Sequence, residues 1–229
     1  MFTRSLTELL LAALVFTGGH FLLSAEPVRK RLVARLGEPR FLGAYSIVML
    51  AAFAWLVLSY VRAPHAPLWA APGWARYVPL LLMPIAFVLL AGALRPDNPT
   101  SVGALARAKD RPPGFFAVTR HPFLWATTLW AIAHIPANGD AASLILFGGI
   151  LLLALPGTFV LDAKLARRYP DGFARLGRAT SNVPLAAAFA GRASFAVRDF
   201  AFPVAIGLAA FLVVLYLHRW LFGVSPLPG

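Results

Sequence analysis

Apolar residues in this chain come in long unbroken runs, not in the stripe of an amphipathic helix or the alternation of a half-buried strand. A helix needs about 20 mainly apolar residues to cross the hydrocarbon of a bilayer. Six runs meet that need, at 5–25, 41–61, 74–94, 121–137, 141–161 and 200–222. The fourth is the shortest and opens on His121-Pro122. Proline is tolerated at a helix start, because its missing N–H would have no helical partner there. Strand-type alternation is weak throughout, which argues against a β-barrel. The pattern therefore predicts an all-α polytopic membrane bundle of about six helices, with residues 1–229 forming one membrane domain. The first run has the look of a secretory leader, but Leu23 stands where a cleavage site needs a small residue and Glu8 breaks the early apolar stretch. The first span is expected to be retained.

Composition supports this class. The chain is 59% hydrophobic and 13% charged, against about 45–50% and about 25% in soluble domains. Its formal charge of +12 would suggest nucleic acid if the basic residues were clustered on one soluble face. They lie instead in the loops between apolar runs, which points to an anionic membrane surface and not to nucleic acid. The first, third and fifth loops hold 17 of the lysines and arginines, and the remaining segments hold 4. The first loop carries Arg29, Lys30, Arg31, Arg35 and Arg40; the third includes Arg107, Lys109 and Arg111. The positive-inside rule then places these loops in the cytoplasm of a bacterial inner-membrane protein, with both termini periplasmic. The absence of cysteine excludes disulfides, iron–sulfur clusters, thiolate zinc and a cysteine nucleophile.

Candidate chemistry rests on five histidines. His65 falls in a proline-rich outer loop and His218 beside Arg219 near an outer helix end, where solvation and interfacial anchoring account for them. His20 follows Gly18-Gly19 in the first span, where the missing side chains allow close approach of a helix or of a flat cofactor. His134 lies in the fourth span, on a face with Ala131, Trp130 and Thr127 at helical spacing. Each is a ligand candidate or a histidine hydrogen-bonded within the bundle, since an ionisable group inside a span has a partner or a task. His121 stands 13 residues before His134, about 20 Å along a continuous helix, so the two cannot share one metal. It is expected at the cytoplasmic boundary, capping the helix or touching headgroups beside Arg120. Asn98-Pro99-Thr100 and Thr180-Ser181-Asn182 read as polar turns, and Asn138-Gly139-Asp140 as a tight outer turn whose carboxylate suits the next helix start.

Several stretches together resemble the NnrU family of bacterial inner-membrane proteins. They are GGHFLLS at 18–24, RKRLVARLGEPRFLGAYS at 29–46, RPDNPTSVG at 95–103, the long block at 112–148 containing TRHPFLWATTLWAIAH, and RATSNVPLAA at 178–187. The resemblance implies a role in denitrification, in support of nitric oxide reductase. The same domain is similar to the 15-cis-ζ-carotene isomerases, membrane proteins that bind haem b. Their axial histidines match His20 and His134, which implies a haem between the first and fourth spans, its pocket shaped by Gly18, Gly19, Trp130 and Ala131. The isomerases have a cysteine where this chain has Ala131, a departure that speaks against redox ligand switching here. His121 is the third candidate ligand. Straight spans put His20 nearer the cytoplasmic side and His134 nearer the outer side, in tension with that pair. Two further readings follow, a cofactor-free accessory or transport protein and a membrane enzyme on a lipophilic isoprenoid. In the latter the Arg120-His121-Pro122 step is similar, over a short stretch, to prenylcysteine methyltransferases.

Overall fold

The computed structural model describes residues 5–101 and 114–227. Arg4 and the third-loop residues Arg107, Lys109 and Arg111 lie outside the described residues. The described chain is helical, with no strand and one isolated bridge between Pro67 and Asp140.

Among the described residues nine α-helices follow in order: α1 (Leu6–Ser24), α2 (Glu26–Leu36), α3 (Glu38–Arg62), α4 (Tyr77–Ala93), α5 (Pro122–Asn138), α6 (Ala141–Arg168), α7 (Pro170–Ala179), α8 (Ala186–Phe189) and α9 (Arg198–Phe222). Their limits follow local rules. Ser5 caps α1 by accepting from the Glu8 N–H, in a Ser-x-x-Glu sequence. Pro27, Pro39, Pro122 and Pro170 sit in first turns, where no N–H is missed. Gly37, at φ +77°, separates α2 from α3.

Five helices are long and apolar enough to span a bilayer: α1, α3, α4 with the 3-10 turn before it, α6 and α9. At most 28% of the most apolar window of any of them is buried inside the protein. The rest is apolar surface that suits lipid, so the chain is a multi-pass membrane protein. Helix α5, at 17 residues, occupies the expected fourth run. The first and fifth loops are not plain loops: α2, α7 and α8 form there, and α6 continues past the expected end to Arg168.

Contacts group into two compact units, Met1–Pro72 with His134–Leu153, and Gly73–Ala133 with Ala154–Gly229. In the first, α1 and α3 run antiparallel. Glu8 meets Trp55 and Ser59, Phe16 meets Phe53, and Gly19 faces Met49. Thr17 donates to the Gly149 carbonyl of α6, and Tyr60 bonds Ser143. The 62–73 loop docks on the α5–α6 turn: Leu68 and Trp69 donate to the Gly139 carbonyl, and Ala141 donates to Ala66. Gly139 has φ +72°, and a Cβ there would sit 2.5 Å from the Trp69 carbonyl oxygen. Asp140 caps α6 by accepting from the Ser143 N–H at 3.0 Å, the role its position suggested.

In the second unit, α4 and α9 approach through Gly207, whose added Cβ would lie 2.5 Å from Val88 backbone. Phe87 and Phe211 meet edge to face beside this contact. Phe115 and Phe116, on a 3-10 turn, fill a core with Ala86, Leu89 and Ala126. Lipid offers no hydrophobic drive to bring helices together, so close backbone packing at small residues carries such contacts.

Gly207→Val should therefore lower stability in detergent by about 1–3 kcal/mol, measured by denaturant unfolding. Gly43→Ala, which meets nothing within 4 Å, should be neutral or stabilising. Equal behaviour of the two variants would show that α4 and α9 do not meet at Gly207.

Candidate functional site

The two histidines of the first unit, His20 and His134, have different surroundings. His20 places Nδ1 2.9 Å from the Phe16 carbonyl one turn back on α1. Its ring lies against Phe16 and Tyr45, at centroid distances of 4.6 and 5.8 Å. With Nδ1–H given to a carbonyl, Nε2 is the nitrogen left for a ligand, the arrangement a metal-binding histidine needs. Gly18 has nothing within 4 Å of an added Cβ, whereas Gly19 would meet the Met49 Cε at 3.0 Å. Gly19 thus serves helix packing, and Gly18 leaves space.

His134 stacks on Phe147 at 5.1 Å and 24°, and Phe147 in turn meets Tyr60. Tyr45, beside His20, and Tyr60, beside this stack, lie on one helix about 22 Å apart along its axis. Trp130 and Ala131, on the same helix as His134, are half-buried and fully buried respectively. His65 is exposed, and His218 bonds the Val224 carbonyl near the end of α9.

His121 is where expectation and structure part. It is neither a surface cap nor a headgroup contact: its side chain is 0% exposed and its Nε2 lies 2.7 Å from Asp162 Oδ1. The preceding Arg120 explains the burial. Its Nη1 reaches the other oxygen of Asp162 at 2.9 Å, its Nη2 donates to the Thr180 carbonyl and its Nε to the Thr180 hydroxyl. The guanidinium also lies over the Phe173 ring at 5.2 Å. Arginine and histidine are drawn inward onto one carboxylate.

A dense polar clasp surrounds this group. The Arg120 N–H donates to the Ser181 carbonyl, and the Leu185 N–H to the Val118 carbonyl. The Thr119 hydroxyl and the Trp125 indole both donate to the Asn182 carbonyl, at 2.7 and 2.9 Å. The Ser181 hydroxyl accepts from the Ala187 N–H. Thr100 donates to the Arg120 carbonyl. Segments 118–125 and 180–187 are thereby zipped together, and Leu185 is held at φ +64°, a left-handed conformation a bulky residue adopts only under constraint.

Asp162 had been passed over in the sequence. Its signal was a lone carboxylate within the apolar run Phe159-Val160-Leu161, where an ionisable group needs a partner. Among the described residues no group of three or more His, Cys, Asp or Glu could hold a metal ion.

The chain matches the family model described as NnrU protein over residues 8–226, and it belongs to that family. It is 33% identical over 79 residues to the chloroplastic 15-cis-zeta-carotene isomerase of Arabidopsis thaliana, and 32% identical over 79 residues to that of Zea mays. Each match covers 34% of this chain and 22% of the relative, so the chain spans well under half of these proteins. No solved structure matches it.

Asp162→Asn keeps the shape of the carboxylate but leaves Arg120 without its counter-charge. It should destabilise the protein by about 3 kcal/mol, as breaking a buried ion pair does. Denaturant unfolding in detergent reads the effect, and a change within about 0.5 kcal/mol would mean that the pair is solvated.

Proposed function

We propose that this NnrU-family protein binds haem b at the membrane, with His20 as the axial ligand that the local geometry prepares. The observation that supports this most is the 2.9 Å contact from His20 Nδ1 to the Phe16 carbonyl, which fixes the ring and leaves Nε2 for iron. Haem b would supply one-electron chemistry or, with an open sixth position, binding of a small gas. His134 is the second ligand that the family resemblance implies. The proposal stands on His20, and His134 is tested beside it.

The purified protein should show a Soret band that His20→Ala abolishes and His65→Ala leaves unchanged. Loss of the band in His134→Ala as well would establish the pair and show that the bound state brings the two rings together. No band in protein expressed with ample haem would remove the haem reading. Support of nitric oxide reductase, implied by the family resemblance, belongs to the same proposal. A deletion strain that consumes nitric oxide at the parent rate would remove that part.

The similarity to carotene isomerases favours a second reading, isomerisation of a lipophilic polyene. Ala131, fully buried, offers iron no ligand for a switching route. Turnover of added carotenoid by the purified protein would establish this reading.

The orientation proposed is both termini periplasmic in a bacterial inner membrane, from the distribution of basic residues. Reporter fusions after Gly37 and Arg175 should read cytoplasm, and a C-terminal fusion should read periplasm. A cytoplasmic C-terminus would overturn the orientation.

A further inference from the structure

The clasp around Arg120 satisfies nearly all of its polar atoms, which makes the exceptions informative. Among the described residues three buried side-chain atoms have no hydrogen-bond partner: His121 Nδ1, Asn182 Nδ2 and Thr128 Oγ1. All three belong to the second unit. His121, Trp125 and Thr128 recur at i, i+4 and i+7, one stripe of the helix start. Asn182 lies against that stripe through its carbonyl, which accepts from Trp125 and from Thr119. Thr119 also accepts from the His121 N–H, so the histidine and the asparagine are joined through one hydroxyl.

A polar cluster that serves only to hold two segments together closes on itself, because each buried polar atom left alone costs free energy. Among the described residues its open side-chain atoms are those of His121, Asn182 and Thr128. Its backbone is also held out of relaxed geometry at Leu185, and strain of that kind gathers at ligand sites.

The open atoms define the chemistry of what would complete them. A carboxylate oxygen only accepts, so the Nε2 hydrogen of His121 goes to Asp162. In the neutral imidazole Nδ1 is then an acceptor, and it calls for an O–H or N–H. The Asn182 amide nitrogen is a donor only and calls for a lone pair. A hydroxyl group has both, and Thr128 can give or take a further bond to the same kind of group. An anion would fail at the Nδ1 lone pair, and a cation would fail at the Asn182 donor.

We propose that this cluster is a binding site for a hydroxyl group, held at His121 Nδ1 and Asn182 Nδ2, with Asp162 fixing the imidazole in the tautomer that accepts. The hydroxyl is that of a bound water or of the head of an amphiphilic alcohol in the membrane. The site uses neither His20 nor His134 and stands whether or not haem binds there.

Full-length protein in detergent, labelled with 15N-histidine, tests this directly. The chain has five histidines, and His121→Gln assigns the signal by its loss. If that variant does not fold, replacing the other four one at a time assigns it by elimination. Farnesol and its methyl ether are the probes. The proposal expects a proton on Nε2 and an Nδ1 that accepts a hydrogen bond. If farnesol shifts the Nδ1 resonance, the ether does not, and Asn182→Ala weakens the effect about tenfold, the ligand is an alcohol. If the bonded signal is present before any addition, cross-relaxes with water and ignores farnesol, the ligand is water. A resonance typical of an Nδ1 that accepts nothing under both conditions overturns the proposal. So does a proton found on Nδ1.

Discussion

A buried arginine survives only if its charge and its donors are met by the protein, and Arg120 shows what that demand does to a chain. Asp162 meets the charge, and Thr180 meets two of the nitrogens from its carbonyl and hydroxyl. To bring Thr180 there, the segment after α7 must turn back onto the start of α5. Backbone bonds from Arg120 to Ser181 and from Leu185 to Val118 then follow from the same approach. The left-handed Leu185 is the conformational consequence: the chain has to reverse within a few residues, and no glycine was available to do it. Removing one side of a buried ion pair is costly in proportion to what its partner loses, so this pair holds the geometry of every polar group in its neighbourhood.

Small residues do a parallel job among the apolar helices. Gly207 lets α9 approach α4 backbone to backbone, and Gly149 receives Ala13 and the Thr17 hydroxyl of α1. Gly139 adds a conformational requirement to a steric one, with positive φ and the Trp69 carbonyl in the place of a side chain. Between such points the helices present apolar surface outward. Within each unit the packing is thus fixed at close contacts and polar locks.

How much of this could be read from the residues depends on the range of the signal. Long apolar runs announce themselves, because spanning a bilayer needs many consecutive residues, and the helices stand at those places. The proline starts and the Asp140 cap were legible for the same local reason. Helices α2, α7 and α8 were not, since short segments with mixed polarity between spans look like loops until neighbours pack on them. His121 was read as a cap or headgroup contact because its partner stands 41 residues away on α6, a distance over which sequence has no voice. Asn182 was visible as a turn residue, yet only the fold sets it against Trp125. The family resemblance supplied the pairing of His20 with His134, and the fold shows what each ring touches, the Phe16 carbonyl and the Phe147 ring.

The two buried or half-buried imidazoles that matter differ in what holds them, and the difference bears on chemistry. A backbone carbonyl, as at His20, fixes the tautomer of a ring without adding charge, which suits a ligand that must offer a lone pair steadily to iron. A carboxylate, as at His121, takes the Nε2 hydrogen and leaves Nδ1 as the accepting nitrogen. The two rings therefore offer opposite nitrogens, Nε2 at His20 and Nδ1 at His121, and they stand in separate units. An account that treats its histidines as interchangeable ligand candidates would miss the distinction, which is carried by the atom that each Nδ1 or Nε2 already touches.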